Sequence, residues 1–563
     1  MRNMTAVLIS AISFSILGSC NSVQNSSGAD TVIEYPEAGF SRGVNLSEWF
    51  QYTGSARGIH FRKFTREDFR DMKDLGINIV RLPIQLDTMT GPEPSYVPDP
   101  LFLELLDRVV DWAEEYEIFI ILDNHSSDGS SGSTPDEIDS FLVPVWTHIA
   151  DHFKNRSKFV LYEILNEPYG GISAARWGAV QKAVIDAIRT RDTVHTIIVG
   201  GHSWNSIDSL KELPVYTDKN LLYTFHFYDP YYFTHQGQNW AEPSMAELGG
   251  LPFPHGAHTM PSIPGSLIAA GLGPYFKNTY PRDGKPAALA ASLDKAVQFS
   301  RERNVPVFCG EFGVKMGNCL EEDRVRWYKT TAALLDERHI PRTSWDYYGD
   351  FGLYKTGRGG SIDSDLNVEV VKALAFTPPL QKKAEAVNGG FTLYDDYPEK
   401  NITVQYWRKS SLFDLYDTDS AEGKYAIRWG NLDRYDSITF TFTRPIDWKF
   451  LAENGFALQF RARTDKPVEF DVRFIDAENA SGIPWRNRYA VTGKILPPDG
   501  TWHTIRIPLA DMSEQGAWID AEQRWLESRG LFSWNEVQTL QFAAEYRALP
   551  DCSIGIDSIE ILK

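Results

Sequence analysis

The chain has 563 residues, more than a single hydrophobic core usually supports, so two domains are expected. Its composition is that of an ordinary globular protein, with 42% hydrophobic and 13% aromatic residues. The 75 Asp and Glu residues outnumber the 56 Lys and Arg residues, and the formal net charge is -19. Such a chain lacks the surplus cations that displace counterions from phosphate backbones, which argues against nucleic acid and favours a neutral or polar partner.

The first element is an export signal over residues 1–20. Arg2 supplies positive charge, residues 6–17 form an apolar stretch too short to span a bilayer, and small residues precede Cys20. The sequence Leu17-Gly18-Ser19-Cys20 resembles the lipobox of bacterial lipoproteins. This implies lipidation of Cys20, a polar tether over residues 21–35, and membrane attachment through the lipid alone, at the outer membrane, cell surface or periplasmic side. An ordinary cleaved signal of a secreted protein is the alternative.

Residues 36–376 show short apolar runs that alternate with segments of helical period, a pattern typical of repeated strand and helix units. Eight strands are predicted, centred on residues 43–45, 79–81, 119–122, 160–162, 197–199, 223–225, 305–307 and 343–345. Amphipathic helices are predicted between them, for example over residues 101–116, 177–189 and 324–338. Eight such units predict a (β/α)8 TIM barrel, in which the carboxyl ends of all strands meet on one face.

One connection of this predicted barrel is unusually long. Residues 229–285, called the excursion below, follow the sixth predicted strand and are rich in Gly, Pro and aromatic residues. Loops of that length in compact domains are usually functional or locally folded. The excursion emerges on the face where the strands end, so it is predicted to wall one side of a cleft.

The pattern changes beyond residues 377–385, which are predicted to be a linker. Residues 438–443, 457–463, 468–474, 503–507 and 554–561 alternate apolar and polar side chains. Period two at this spacing predicts that residues 386–563 form an antiparallel sandwich, a smaller all-β domain.

Cysteine usage argues against a disulfide scaffold, because three of the four cysteines remain after Cys20 and three is an odd number. Cys309 and Cys319 are close enough in sequence to pair across a short loop. A reduced, buried Cys309 on a strand is an equal alternative. No spacing of Cys and His indicates a zinc site.

Two glutamates stand at the ends of apolar runs that lie far apart in the sequence. Glu167 belongs to Asn166-Glu167-Pro168, and Glu311 lies in the run over residues 305–313. Carboxylates at the carboxyl ends of two strands of one barrel converge on the same rim. Hydrolysis of a glycosidic bond with retention needs such a pair, an acid and a nucleophile, roughly 5 Å apart.

Beyond the glutamates, the chain resembles glycoside hydrolase family 5, a family of (β/α)8 retaining glycosidases, over about residues 43–376. The resemblance rests on eight positions expected at strand ends, which are Arg81, His125, Asn166, Glu167, His226, Tyr228, Glu311 and Trp345. Arg81 is expected to follow the second strand. The resemblance implies that Glu167 is the acid and base and Glu311 the nucleophile, with no catalytic metal and no cofactor.

The resemblance also implies how the two glutamates are tuned. Arg81 and Tyr228 would hydrogen-bond the Glu311 carboxylate and favour its charged form. The charge of Glu311 would raise the pKa of Glu167, so that Glu167 starts protonated. Once the sugar esterifies Glu311, the pKa of Glu167 would fall, which suits its second role as a base toward water.

The remaining positions of the set are expected to contact the sugar. Asn166 would bind the 2-hydroxyl, an interaction that strengthens in the transition state. His125 and His226 would orient sugar hydroxyls and the acid, and Trp345 would offer a flat face to a pyranose ring. Each residue taken alone has a structural interpretation, as an ion-pair or core residue, and only the joint arrangement favours the functional one.

Further aromatic residues are candidates for additional subsites. They are Trp49, Trp204, Tyr231, Phe233 and Trp240. For those in the excursion, packing inside the loop and stacking on a sugar are equal alternatives, because long loops need cores of their own. Asp123, two residues before His125, is expected to be structural.

The predicted sandwich resembles the jelly-roll carbohydrate-binding modules attached to polysaccharidases, in its strand pattern and in the closing run over residues 554–559. The resemblance implies a glycan surface, to which Trp407, Trp485, Arg488 and Tyr489 would contribute. A structural brace packed on the barrel without a ligand is the alternative. Such modules often hold a structural calcium ion, for which Asp395, Asp396 and Asp557 are the candidate ligands.

Together these observations predict a retaining, endo-acting β-glucan hydrolase, most directly an endo-β-1,4-glucanase acting on cellulose or a related soluble glucan. β-Mannan, xyloglucan, β-1,3-glucan and mixed-linkage glucan are alternative substrates, because one fold hosts many specificities. The alternative from another class is a surface glycan-binding lipoprotein with an inactive barrel. The presence of both glutamates with their supports argues against it, because binding alone requires neither carboxylate.

Overall fold

The structure is a computed structural model of the chain. It describes residues 40–126, 134–241, 243–357, 360–407, 412–476, 483–519 and 522–563. The predicted signal with Cys20 and the predicted tether over residues 21–35 lie outside the described residues. Within the described part of the chain, no helix is long and apolar enough to cross a membrane.

Eight parallel strands form a closed barrel, which confirms the predicted fold of the first domain. They are β1 (Arg42–Asn45), β2 (Ile79–Ile84), β3 (Phe119–Asn124), β4 (Val160–Glu163), β5 (Thr196–Gly200), β6 (Leu221–Phe227), β7 (Val307–Phe312) and β8 (Arg342–Ser344). The barrel closes between β1 and β8, where Gly43 lies opposite Thr343. The predicted strands are present because buried parallel strands are near-continuous apolar runs, a signal visible in the sequence.

Helices surround the barrel and fill its connections. They are α1 (Arg66–Leu75), α2 (Pro100–Glu115), α3 (Asp139–Phe153), α4 (Ala174–Arg189), α5 (His202–Asn205), α6 (Ile207–Leu210), α7 (Tyr231–Thr234), α8 (Gly265–Ala269), α9 (Tyr280–Asp283), α10 (Pro286–Arg303), α11 (Glu321–Glu337) and α12 (Val368–Ala373). The three helices named from the sequence are α2, α4 and α11, which begin slightly earlier than predicted. Side-chain caps set two of these starts, because Asp99 accepts from the Leu101 amide and Ser173 from the Arg176 amide.

The barrel interior changes from apolar to charged along the strands. Ile79 is followed two residues later by Arg81, and Leu161 by Glu163, so each pair shares the inward face. An apolar cluster fills the interior toward the amino ends and consists of Phe40, Ile79, Phe119, Ile121, Leu161, Ile198, Leu222 and Phe308. The charged residues therefore lie above an apolar plug, toward the carboxyl ends of the strands.

Three residues of the predicted site, Arg81, His226 and Glu311, lie inside their strands instead of following them. Arg81 lies inside β2 and is fully buried, so the prediction that it follows the strand is wrong. β4 ends at Glu163, and Glu167 lies in the segment beyond it. Glu311 lies inside β7, one residue before its end.

The excursion is locally folded, one of the two outcomes expected for so long a loop. It contains α7, α8, α9 and a π-helical turn, Tyr275–Thr279. Phe233 and Phe253 are fully buried in it, with ring centroids 5.3 Å apart. Trp327 of α11 donates a hydrogen bond to the Asp229 carbonyl at 2.9 Å. The excursion thus has a core of its own and is fixed to the barrel.

Beyond the linker, antiparallel sheets form the predicted sandwich. Its strands are β9 (Phe391–Asp395), β10 (Tyr397–Pro398), β11 (Ile402–Trp407), β12 (Leu412–Asp417), β13 (Ala426–Leu432), β14 (Ser437–Phe442), β15 (Ala457–Thr464), β16 (Phe470–Asp476), β17 (Trp485–Val491), β18 (His503–Pro508), β19 (Ser513–Ile519), β20 (Arg524–Glu527), β21 (Val537–Ala543) and β22 (Leu549–Leu562). One sheet has the order β10-β9-β22-β13-β12, with β15 joining β22 to β18, and the other has the order β11-β14-β21-β16-β17-β19-β20. A short helix, α13 (Trp448–Glu453), precedes β15. The exact limits of the two domains and the linker stay predictions.

The sandwich packs against the barrel on the segment that follows β1 and on α1 and α2. The rings of Phe61 and Tyr397 lie 5.0 Å apart, and the Tyr416 hydroxyl donates to the Ile59 carbonyl. Ion pairs around these contacts are Arg57–Asp414, Lys400–Asp68 and Lys424–Glu104. These contacts, called the barrel–sandwich interface below, are the arrangement that the structural-brace alternative requires.

Cys309 and Cys319 are both free and buried, so the pairing across the short loop is wrong and the reduced alternative is correct. Cys309 lies inside β7, and burial raises the pKa of its thiol. A buried thiol on a barrel strand packs as a small apolar residue.

Candidate active site

A cleft of about 1050 Å³ opens where the barrel strands end. Seven of the eight residues on which the family resemblance rests line it, namely His125, Asn166, Glu167, His226, Tyr228, Glu311 and Trp345. The eighth, Arg81, lies buried beneath them inside β2. The carboxyl ends of β3, β4, β6, β7 and β8 thus deliver one convergent set of side chains.

Both carboxylate oxygens of Glu311 accept a hydrogen bond. Arg81 Nη1 donates to Oε1 at 2.7 Å, and the Tyr228 hydroxyl donates to Oε2 at 2.9 Å. These are the two contacts that the family resemblance implies. Burial, and after it the charge of Glu311, raises the pKa of Tyr228 well above its usual range, so the phenol stays a donor. The two bonds fix the orientation of the carboxylate at the floor of the cleft.

Glu167 faces Glu311 across a short gap. One oxygen of each glutamate and one ring nitrogen of His226 all lie within 4.8 Å of one another. This is close to the spacing of the two carboxyl groups in retaining glycosidases. Glu167 Oε1 and His226 Nδ1 lie 2.6 Å apart, and burial lowers the pKa of His226 to about 4, so its ring is neutral. The Glu167 side chain is 28% exposed and can be reached from the cleft.

The pKa of Glu167 is raised to about 7. Burial is the largest cause, and the negative charge of Glu163 acts in the same direction, whereas His125 and Arg81 lower the pKa. The charge of Glu311, which was expected to raise this pKa, is not among these causes. The expected consequence still holds, because a carboxyl group with this pKa is protonated in mildly acidic solution and can donate its proton.

Arg81 holds several acceptors beneath the cleft at once. Nε and Nη2 donate to the two oxygens of Glu163 at 2.8 and 3.0 Å. Nη2 also donates to Asn166 Oδ1 at 2.8 Å, and Nη1 donates to Asn45 Oδ1 at 3.0 Å. Because Arg81 occupies the carbonyl oxygen of Asn166, the amide NH2 group of Asn166 is left to donate to a ligand.

Glu163 and Asn45 were not predicted as parts of the site. Glu163 is a charged residue on a buried strand, two positions after inward-facing Leu161. Charged residues are almost never fully buried unless they are paired, so this placement was the signal that could have revealed Glu163. Asn45, at the end of β1, carries no comparable signal because an amide at a strand end is common.

His125 and Trp345 form one wall of the cleft. Their rings stack with centroids 5.9 Å apart and an interplanar angle of 22°. His125 Nδ1 lies 2.6 Å from Asp123 Oδ2, and burial raises the pKa of Asp123 to about 7. Asp123 thus holds the His125 ring, in agreement with the structural role predicted for it.

Three of the predicted subsite aromatics, Trp204, Tyr231 and Trp240, lie on the cleft. Trp204 is 57% exposed and stacks on Tyr169, with centroids 5.5 Å apart and an interplanar angle of 21°. Tyr231 stacks on His235 with centroids 4.4 Å apart. These rings line the same cleft as the two glutamates.

Two predicted subsite aromatics are wrong. Trp49 is 1% exposed, its Nε1 donates to the Phe61 carbonyl at 3.0 Å, and its ring packs in the core. Phe233 is fully buried in the excursion. Tyr52 and Tyr169, which were not predicted, line the cleft instead. Tyr52 has a φ of 56°, a loop conformation that hydrophobic periodicity does not reveal.

The four residues predicted for a glycan surface on the sandwich do not share one exposed face. Trp407 is exposed, but Trp485 is fully buried, so its prediction is wrong. Tyr489 lies opposite Val472 on the ladder and is partly buried against the core. Arg488 pairs with Asp471 at 2.8 Å and faces the other side of the sheet.

The three candidate calcium ligands bond to protein groups. Asp395 pairs with Arg62, Asp396 accepts from the Tyr425 amide at 2.8 Å, and Asp557 accepts from the Ala421 amide at 2.8 Å. Among the described residues, the one cluster of His, Cys, Asp and Glu with metal-ligand spacing is Glu167, His226 and Glu311. A calcium site on the sandwich therefore stays a prediction.

A sequence profile described as Cellulase (glycosyl hydrolase family 5) matches residues 41–350, which is more than half of the chain and includes every strand of the barrel. The chain belongs to glycosyl hydrolase family 5. The match confirms the resemblance, and Glu167 and Glu311 of this family 5 barrel both lie inside it.

Named relatives are similar over the same part of the family 5 chain. Endoglucanase 3 from Fibrobacter succinogenes is 31% identical over 341 residues, which cover 56% of this chain and 51% of the relative. Endoglucanase C from Acetivibrio thermocellus is 29% identical over 362 residues, covering 60% and 98%. This chain thus spans about half the length of the first relative and nearly all of the second. A solved structure described as Thermotoga maritima Cel5A in complex with cellobiose, mutant form, is 25% identical with a TM-score of 0.50, and the match covers 60% of this chain and 96% of that one.

Proposed function

We propose that this family 5 protein hydrolyses internal β-1,4 bonds of glucan chains and retains the anomeric configuration. The observation that supports the proposal most strongly is the glutamate pair within 4.8 Å, whose members have different surroundings. Glu167 contacts a neutral imidazole, whereas Glu311 accepts from the guanidinium of Arg81 and the phenol of Tyr228. Two carboxyl groups in unlike environments are what a proton donor and a nucleophile require.

In the first step, Glu167 donates its proton to the glycosidic oxygen while a Glu311 oxygen attacks the anomeric carbon. The bond from that carbon to the leaving oxygen breaks, the leaving chain departs as an alcohol, and the sugar becomes an ester of Glu311. The amide NH2 group of Asn166 donates to the sugar 2-hydroxyl, and Arg81 holds the amide in that orientation.

In the second step, ionised Glu167 accepts a proton from water, and the water oxygen attacks the anomeric carbon. The ester bond breaks and Glu311 leaves as a carboxylate, so both glutamates return to their starting states. The neutral ring of His226 suits both steps, because an Nδ1–H group donates to Glu167 Oε1 both while the other oxygen of Glu167 carries the acid proton and after that proton has left.

A β-1,4-glucan is the proposed substrate because the relatives reported above are named endoglucanases. Internal cleavage suits an open cleft that is lined by the exposed rings of Trp204 and Tyr52 as well as by the glutamates. β-Mannan, xyloglucan, β-1,3-glucan and mixed-linkage glucan are the alternatives, since subsite contacts and not the fold select the sugar.

A substrate panel of carboxymethylcellulose, barley β-glucan, glucomannan, xyloglucan and laminarin tests the proposal, with product lengths read out over time. We expect fastest hydrolysis of a β-1,4-linked glucan, with a mixture of oligosaccharides as the first products. Monosaccharide as the first product would reject internal cleavage, and faster hydrolysis of another polymer would reassign the substrate. Binding without hydrolysis of every polymer would favour the glycan-binding protein with an inactive barrel.

The sandwich is proposed to bind glycan through the exposed ring of Trp407 on the outer face of its second sheet. The test is retention on insoluble cellulose of Trp407→Ala in the full chain, compared with the parent protein. Weaker retention with unchanged turnover of soluble substrate supports a binding role. Equal retention of the two proteins would leave the sandwich as a brace.

Lipid attachment at Cys20 is proposed from the sequence Leu17-Gly18-Ser19-Cys20, which would place the enzyme on a membrane or cell surface. The test is fractionation of cells that express Cys20→Ala. Release of the variant into the soluble or secreted fraction supports the proposal. Continued membrane association would show that Cys20 is not the tether.

A further inference from the structure

Glu163 is a buried glutamate that lies beneath the proposed catalytic pair and has no role in the two chemical steps. It is the last residue of β4, and its side chain is 1% exposed. Its two oxygens accept from Arg81 Nε at 2.8 Å and Arg81 Nη2 at 3.0 Å. Such a bidentate pair fixes a guanidinium in its plane as well as in its position.

Glu163 holds one edge of the Arg81 guanidinium through two hydrogen bonds, and Asp123 Oδ2 lies 3.0 Å from Nη2 on the same side chain. With Nε and one edge of Nη2 bonded to Glu163, Nη1 is directed at Glu311 Oε1 at 2.7 Å. The other edge of Nη2 is directed at Asn166 Oδ1 at 2.8 Å. The orientation of the proposed nucleophile and that of the group proposed to bind the sugar 2-hydroxyl therefore depend on one guanidinium.

We propose that Glu163 is a positioning residue for hydrolysis, which orients Arg81 and through it both Glu311 and Asn166. The inference rests on the proposed roles of Glu167 and Glu311. It accounts for a charged residue at a place where burial is costly and where an apolar residue would pack on the plug below.

Charge gives Glu163 a second effect on the site. Its carboxylate contributes to the raised pKa of Glu167, although burial contributes more. The titratable and charged groups around Glu163 come from every neighbouring element and are Arg81 of β2, Asp123 of β3, Glu167 beyond β4, His226 of β6 and Glu311 of β7. Removing the charge of Glu163 takes away one cause of the raised pKa of Glu167, so that pKa should fall.

The test is Glu163→Gln in the full chain, assayed on the polymer that the parent protein hydrolyses fastest and on 2,4-dinitrophenyl β-cellobioside. Gln keeps the shape but offers one acceptor oxygen, so one charge-assisted bond to Arg81 is lost. We expect kcat and kcat/KM to fall together by roughly ten- to a hundredfold on both substrates, with little change in KM. The leaving group of the aryl substrate departs without a proton from Glu167. A lower kcat on that substrate therefore reports a change at Arg81 and Glu311.

The pH profile supplies a second readout that a merely structural role would not move. The alkaline limb of kcat/KM on the polymer is expected at lower pH in Glu163→Gln than in the parent. Glu163→Asp retains the charge on a shorter side chain, so its kcat should fall while its alkaline limb stays in place. If Glu163→Gln fails to fold, the kcat of Glu163→Asp tests the inference. A kcat of Glu163→Asp equal to that of the parent would overturn it.

Glu115→Gln is the matched control. Glu115 also accepts from Nε and Nη2 of one arginine, Arg66, but on the protein surface, where the side chain is 42% exposed. We expect no change in turnover or pH profile in Glu115→Gln. A folded Glu163→Gln with the kcat and the alkaline limb of the parent would overturn the inference. If Glu311→Ala is inactive in the same assay, the proposed function still stands. If the parent and every variant are inactive, it is the proposed function that fails.

Discussion

The rim of the barrel and the barrel–sandwich interface both hold dense sets of charged and aromatic side chains, but they differ in burial. At the rim, Arg81 and Glu163 are buried, and the hydrogen bonds of Arg81 connect β2 to β1, β4 and β7. At the interface, Arg57 and Lys424 are 54% and 53% exposed, although Asp68 is buried, and two aromatic rings pack 5.0 Å apart. Exposed ion pairs contribute about 0–1 kcal/mol, whereas buried charges that lose a partner cost several. The rim therefore carries chemistry at a cost in stability, and the interface holds two domains together.

Removal of either glutamate is the largest expected change at the rim. Glu311→Ala and Glu167→Ala should each lower kcat on the best polymer by roughly 10³-fold or more, because each removes a group that the bond-breaking step requires. Circular dichroism and the thermal midpoint should remain close to those of the parent. On 2,4-dinitrophenyl β-cellobioside, Glu167→Ala should still release about one equivalent of phenol in a burst, and Glu311→Ala should not. Retained turnover in Glu311→Ala would reject it as the nucleophile.

The pH dependence at the rim is the next largest effect. Hydrolysis of the polymer needs protonated Glu167, and its pKa is raised to about 7, so kcat/KM should fall tenfold per pH unit above about 7. The rate falls with rising pH because Glu167 loses its proton as pH rises through that pKa. With the aryl cellobioside, which needs no proton donor, the alkaline limb should weaken. A limb that is the same for both substrates would mean that another group is titrating.

Substitutions in the barrel–sandwich interface should lower the thermal stability of the protein and leave kcat unchanged. Tyr416 is buried and its hydroxyl donates to the Ile59 carbonyl, so Tyr416→Ala should destabilise the packing by about 3–5 kcal/mol. Arg57→Ala, its control in the same interface, should cost less than about 1 kcal/mol. Thermal denaturation measures both, and kcat is measured well below the transition. Loss of kcat in folded Tyr416→Ala would show that the interface also shapes the site.

The smallest expected effect is at the outer part of the cleft. Trp204 is an exposed ring on the cleft that stacks on Tyr169, so Trp204→Ala should raise KM for long cello-oligosaccharides about five- to tenfold, near 1 kcal/mol, with kcat nearly unchanged. Trp407→Ala, an exposed tryptophan on the sandwich, is the control and should leave KM for soluble oligosaccharides unchanged. An unchanged KM in Trp204→Ala would remove Trp204 from the subsites.

The barrel and its rim were largely predictable from the sequence because their signals are local. Each strand is an apolar run, and the residues that follow β3, β6 and β8, such as His125, Tyr228 and Trp345, reach the rim by chain order alone. The sandwich was predictable for the same reason, since its strands alternate with period two.

Features that depend on packing between distant segments were not predictable. Trp49 follows β1 closely, yet it turns into the core, and no pattern in the sequence shows which way that loop folds. Glu163 shows its role only when Arg81, on another strand, is placed opposite it. The contact of the sandwich with α2 depends on the shapes of two domains, which neither domain's periodicity contains.

The anomeric configuration of the first product tests the glutamate pair most directly. Proton NMR should follow the hydrolysis of the oligosaccharide that the protein cleaves fastest, before mutarotation. Two carboxylates within 4.8 Å leave no room for a water between nucleophile and sugar, so the β-anomer should appear first and the α-anomer only later. Initial release of the α-anomer would contradict a covalent role for Glu311 and, with it, the proposed mechanism.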